Sequence, residues 1–130
     1  MNQKKYSNIR FDIDNYDNVK PDILTSFKYE YKNQDIWINL ETHEFSAVCP
    51  WSGLPDYGKL IIKYIPDDII LELKSFKFYL YTYRSVGIYQ EHAANMIFNH
   101  IYDFLKPKKM KLELTYNIRG GIGTTVTKEK

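Results

Sequence analysis

Residues 89–105 read Tyr89-Gln90-Glu91-His92-Ala93-Ala94-Asn95-Met96-Ile97-Phe98-Asn99-His100-Ile101-Tyr102-Asp103-Phe104-Leu105, and past Pro107 the chain continues Met110-Lys111-Leu112-Glu113-Leu114-Thr115-Tyr116. In the first run Ala93, Met96, Ile97, His100, Ile101, Phe104 and Leu105 return at the spacing of one helix face. The second alternates apolar with polar, as a strand with one buried face does. Upstream, residues 73–84 allow a shorter helix. Before them residues 59–65 read as a strand closed by Pro66-Asp67-Asp68, and residues 45–49 as a short strand stopped by Pro50. A loop rich in breakers, residues 50–58, joins those two. Further back, Phe27-Lys28-Tyr29-Glu30-Tyr31 and Ile36-Trp37-Ile38-Asn39-Leu40 flank Asn33-Gln34-Asp35, a hairpin signal. Downstream, Arg119-Gly120-Gly121 makes a turn or bulge before a last strand at 122–126. Residues 1–24 are mostly polar and read as an arm or lead-in. Residues 25–130 then form one α+β domain with a largely antiparallel sheet.

Composition narrows the class. The 130 residues suit one domain, and 44% apolar with 26% charged residues exclude a disordered tail, a collagen-like fibre and a disulfide scaffold. The aromatics, 12 Tyr, 7 Phe and 2 Trp, exceed what a small core can hide and favour self-association. A net charge of +2 argues against nucleic-acid binding as the main task, since the basic cluster Lys106, Lys108, Lys109 and Lys111 fits a solvated helix end. No window resembles a membrane span, and the start, MNQKKYSNIRFDID, lacks the apolar core of a secretory signal. A lone Cys49 cannot pair internally. The cytoplasm is the expected location, with Cys49 a free thiol.

Four groups could carry chemistry. Cys49 stands at a strand end before Pro50 and Gly53, with Asp56 seven residues on. It is either a nucleophile with an acid beside it or a small buried hydrophobe with a turn former. Lys74 and Lys77 share a helix face, suited to a polyanion or simply to solvent. Glu91 opens the long helix, where the dipole favours a carboxylate and where it could accept paired N–H donors. Arg119-Gly120-Gly121-Ile122-Gly123 is either a bulge or an anion-binding turn. No dinucleotide or phosphate-loop glycine pattern is present. A metal is not expected: Cys49, His43, His92 and His100 lack ligand spacing.

Together these pieces resemble a known family. Glu72-Leu73-Lys74-Ser75-Phe76-Lys77-Phe78-Tyr79 is similar to the signature of the NADPH-dependent 7-cyano-7-deazaguanine reductases, the nitrile reductases of queuosine biosynthesis. Cys49-Pro50 with Asp56, Tyr83-Arg84, Glu91 and Arg119-Gly120-Gly121 agree in order and spacing. The likeness covers roughly residues 25–125 and the short single-module form.

The resemblance implies a tunnelling fold, an antiparallel sheet with two helices on one face, joined edge to edge into rings with sites between subunits. It implies Cys49 attacking the nitrile carbon to form a thioimide, and Asp56 as general acid. Two NADPH would be used per turnover, and no metal. Glu91, with Gln90 and His92 beside it, would hold the base. Glu72, Leu73, Lys74, Ser75, Lys77 and Arg119 would contribute to the NADPH site.

Two positions depart from the pattern. Gln90 stands where many members have His, and His92 lies about 200° away on a regular helix and cannot replace it. Leu73 stands where many have Ser. A rival reading is a non-catalytic purine- or pterin-binding module on the same fold, which leaves Cys49 without a task. A zinc-dependent cyclohydrolase of the same superfamily lacks its ligands here.

Overall fold

The structure, a computed structural model, describes residues 5–130. Eight strands and helices follow in order: β1 Ser26–Lys28, β2 Ile38–Val48, β3 Pro55–Ile65, β4 Ile69–Leu71, α1 Leu73–Tyr81, α2 Gln90–Leu105, β5 Lys109–Arg119 and β6 Ile122–Glu129. Two 3-10 turns, Tyr16–Asn18 and Pro21–Ile23, precede them. Strands β2-β3-β5-β6 form a four-stranded antiparallel sheet, and β1 pairs with β4 apart from it. Among the described residues no helix is long and apolar enough to cross a membrane.

Alternation puts one face of the sheet in the core. Leu60, Ile62 and Tyr64 of β3, with Met110, Leu112 and Leu114 of β5, are buried against Ala93, Ala94, Ile97, Ile101 and Leu105 of α2 and Phe76 and Tyr79 of α1. Burial of that apolar surface is the main stabilising term. The helical stripe seen in residues 89–105 is the buried face of α2, which ends where Lys106 turns left-handed before Pro107. The β5–β6 hairpin closes on Gly120 and Gly121 with φ of +57° and +78°, angles that demand glycine in a two-residue turn. Val19 and Leu24 of the lead-in are buried in the same core.

Several local readings change. The residues flanking Asn33 do not form a hairpin with each other. Phe27 pairs with Ile70, while Ile38 and Leu40 pair with β3. Asn33 does turn the chain, with φ +71°, but sequence-distant partners outcompete the local one. The strand read at 45–49 is the end of an 11-residue β2 that begins within the stretch read at 36–40, and the residues joining the two, Glu41 to Glu44, are too polar to announce themselves. A bulge between Thr42 and Phe45 interrupts it. The loop read at 50–58 is shorter, because β3 begins at Pro55 and takes in Asp56 and Gly58. α1 stops at Tyr81, where Thr82 caps it and a turn runs on to Ser85.

Candidate active site

The turn between β2 and β3 is tight. Val48 pairs with Pro55, the Cys49 N–H donates to the Leu54 carbonyl at 2.9 Å, and the Gly53 N–H donates to the Cys49 carbonyl at 2.9 Å. Asp56 lies opposite Ala47, two residues before Cys49. Side chains two apart on a strand share a face, so pairing brings the thiol and the carboxyl together at one end of the sheet. Cys49 is half-buried and Asp56 is buried.

Their surroundings push the two groups in opposite directions. Ser52 offers the Cys49 sulfur its hydroxyl and its backbone N–H, and these donors lower the thiol's pKa against the opposing effects of burial and of the Asp56 charge. Burial raises the Asp56 carboxyl, and the Arg119 guanidinium, bound to Oδ1, opposes that rise without cancelling it. A thiol inclined to ionise thus stands beside a carboxyl inclined to keep its proton.

Next to Asp56 is a cavity of about 280 Å³ lined by Tyr89, Gln90, Glu91, Tyr116, Arg119 and Thr124 among others. Gln90 Nε2 donates to the carbonyls of Leu114 at 2.9 Å and Thr124 at 2.8 Å, tying the start of α2 to β5 and β6. Its donors are therefore spent inside the chain. Glu91, on the first turn of α2, reaches the cavity, and among the described residues its carboxylate makes no ion pair. The Tyr116 ring lies over Gly58, where a Cβ would stand 2.7 Å from it, and stacks on Phe45. Among the described residues its buried hydroxyl has no hydrogen-bond partner.

The other site residues expected from the sequence fall elsewhere. His92 is exposed and contacts Tyr89 edge to face. Glu72 caps α1, its carboxylate accepting from the N–H of Lys74 and of Ser75, both at 2.9 Å. Ser75 is buried, and its hydroxyl accepts from the Thr25 N–H and donates to the Glu72 carbonyl. Leu73 and Lys77 line a groove of about 880 Å³ along β2 with Phe76, Leu80, Tyr81 and Tyr57. Lys74 is exposed on the same helix, and neither lysine is in an ion pair among the described residues. Within one chain the lysines and the Cys49–Asp56 pair thus belong to separate places.

Ser52 and Tyr116 were not singled out from the sequence. Ser52 is an ordinary turn residue until the loop closes on Cys49. Tyr116 continues the buried alternation of Met110, Leu112 and Leu114 and so reads as core.

A family model described as QueF-like protein matches residues 55–130. The chain belongs to that family. Among curated relatives of this QueF-like chain, one from Caldanaerobacter subterraneus subsp. tengcongensis, named NADPH-dependent 7-cyano-7-deazaguanine reductase, is 48% identical over 122 residues, covering 94% of this chain and 91% of the relative. Another of the same name, from Thermotoga maritima, is 47% identical over 116 residues, covering 88% and 83%. A solved crystal structure of the archaeosine synthase QueF-Like in the apo form aligns with a TM-score of 0.66 at 25% identity, covering 72% of this chain and 91% of that one. The antiparallel sheet with its helices on one face is accordingly the tunnelling fold expected from the sequence.

Proposed function

We propose that this QueF-like chain is an NADPH-dependent reductase that converts the nitrile of 7-cyano-7-deazaguanine to the aminomethyl group, a step of tRNA queuosine biosynthesis. The observation that carries the reading is the Cys49–Asp56 pair at the β2–β3 turn, with the thiol's pKa lowered and the carboxyl's raised. Relatives of similar length carrying that enzyme name support it.

The chemistry asks for that pair. The Cys49 thiolate adds to the nitrile carbon, one C–N π bond opens, and the nitrogen takes a proton from Asp56, leaving a thioimide. The thioimide carbon accepts hydride more readily than the free nitrile does. NADPH supplies two hydrides, both to this carbon, and two protons go to nitrogen, which balances nitrile to primary amine. Between the two reductions the C–S bond breaks and Cys49 leaves as thiolate. Arg119 tunes how firmly Asp56 holds its proton. Glu91, at the cavity, accepts N–H donors from the guanine-like edge.

The groove fits an extended anionic ligand. Lys77 at its wall and Lys74 nearby are ammonium groups without an ion pair among the described residues, and Leu73, Phe76 and Tyr81 offer apolar surface beside them. Gln90, Arg119 and the first turn of α2 stand instead beside Asp56. Lysines and cysteine lying apart in one chain support a site completed by a neighbouring copy. Strands β2 and β6, the two ends of the sheet, offer free edges for such a ring.

Intact mass after mixing the protein with 7-cyano-7-deazaguanine and no NADPH tests the reading. The expected result is a gain equal to the whole substrate, absent in Cys49→Ala. Binding without an adduct would leave a purine-binding module, and no binding would remove the assignment.

A further inference from the structure

The lead-in grips the loop that carries Cys49. Arg10 places its guanidinium 3.6 Å from the centre of the Trp51 ring, and the Phe11 N–H donates to the Ser52 carbonyl at 3.1 Å. Gly53, with φ +75°, lies so close beneath this segment that a Cβ there would stand 2.6 Å from the Phe11 carbonyl oxygen.

The grip is anchored behind the loop. The Asp14 N–H donates to Ser85 at 2.8 Å and the Gly87 N–H to Asp14 at 3.0 Å. The same short segment then ladders onto the residue before the cysteine: Val48 donates to Val86 at 3.0 Å and Ile88 to Val48 at 3.2 Å. Lead-in, residues 85–88 and the end of β2 are therefore one hydrogen-bonded layer.

Ser52 is where this layer meets the thiol. Its carbonyl is held by Phe11 and its Oγ accepts from the Leu54 N–H at 3.2 Å, and it is the main influence that lowers the pKa of the Cys49 thiol. The peptide unit is planar, so holding the Ser52 carbonyl also holds the Gly53 N–H of the same unit, which donates to the Cys49 carbonyl at 2.9 Å. We propose that residues 10–14 are a positioning element for the nucleophile: by holding Trp51 and the Ser52 carbonyl they keep the turn closed on Cys49 through its backbone bonds to Gly53 and Leu54, with Ser52 kept near the thiol. The inference rests on reading Cys49 as the nucleophile of the proposed reaction.

Two variants remove the grip without touching the turn: Phe11→Pro deletes the N–H bonded to Ser52, and Arg10→Ala deletes the contact with Trp51. The readout is the pH dependence of iodoacetamide alkylation of Cys49, the chain's one cysteine. Losing donors to the thiolate leaves less of it at neutral pH, so alkylation should slow there, on the order of threefold to tenfold. The difference should vanish above pH 9.0, the ordinary value for a thiol. Ser52→Ala should slow the reaction similarly, and adding Phe11→Pro to it should do little more. An unchanged profile in both strap variants, or a rate altered equally at every pH, would overturn the proposal. The reductase reading fails separately: the wild-type protein would then form no adduct with 7-cyano-7-deazaguanine while its thiol still responded to the strap.

Discussion

Gln90→Met isolates what the tie at the start of α2 contributes. Methionine keeps the unbranched shape, the approximate volume and the helix propensity of glutamine but has no N–H. The two hydrogen bonds lost, to Leu114 and Thr124, are each worth about 1 kcal/mol net, and the desolvated carbonyls they leave add to that. Together the loss should be about 2–3 kcal/mol. At this chain length roughly 3–5 °C accompanies each kcal/mol, so Tm should fall by about 6–15 °C. Guanidinium denaturation followed by circular dichroism gives the free energy, at one fixed protein concentration so that any assembly contributes equally. Glu91 rides on the same first turn, so the KM for the nitrile should rise as well. A stability loss below about 0.5 kcal/mol, the scale of an ordinary surface change, would refute the tie.

Two further outcomes follow from the same cavity. Tyr116→Phe removes a buried hydroxyl that has no partner among the described residues and leaves the stacking on Phe45, so stability should hold or rise, by up to about 1–2 kcal/mol, in the same denaturation assay. Arg119→Met removes the cation that opposes the burial of Asp56, so the carboxyl should hold its proton to higher pH and the alkaline limb of kcat should move upward. The stability effect has a definite sign. The folded pKa of Asp56 is raised, so its contribution is complete below the ordinary carboxylate range and is lost as pH climbs through the folded value. In Arg119→Met that loss should start in the same ordinary carboxylate range but run on to higher pH, and so be larger, in denaturation series across pH.

The elements that could be read from the sequence are those whose burial repeats with their own geometry. α2 and the core of β5 show it best, because each packs one regular face against the other. β1 and the middle of β2 do not. Phe27-Lys28-Tyr29 alternates locally, yet its partner Ile70 lies more than 40 positions away, and Glu41 to Glu44, in the middle of β2, stay polar because β2 is an edge. At the candidate site, Cys49, Asp56, Glu91 and Arg119 were legible as residue types that carry chemistry, helped by the family signature. Ser52, the tie through Gln90 and the bare hydroxyl of Tyr116 were not. Each depends on which backbone atoms the tertiary fold brings within reach, and no local pattern encodes that.

The capping of α1 bears on how the signature itself persists through descent. Glu72 spends its carboxylate on two backbone N–H groups and Ser75 its hydroxyl on two further backbone atoms, so both are retained by folding whether or not any nitrile is ever reduced. A lineage that lost the reaction would first be free to change Cys49 and the exposed lysines, and only much later Glu72 and Ser75. In such a descendant the familiar stretch would outlive the enzyme.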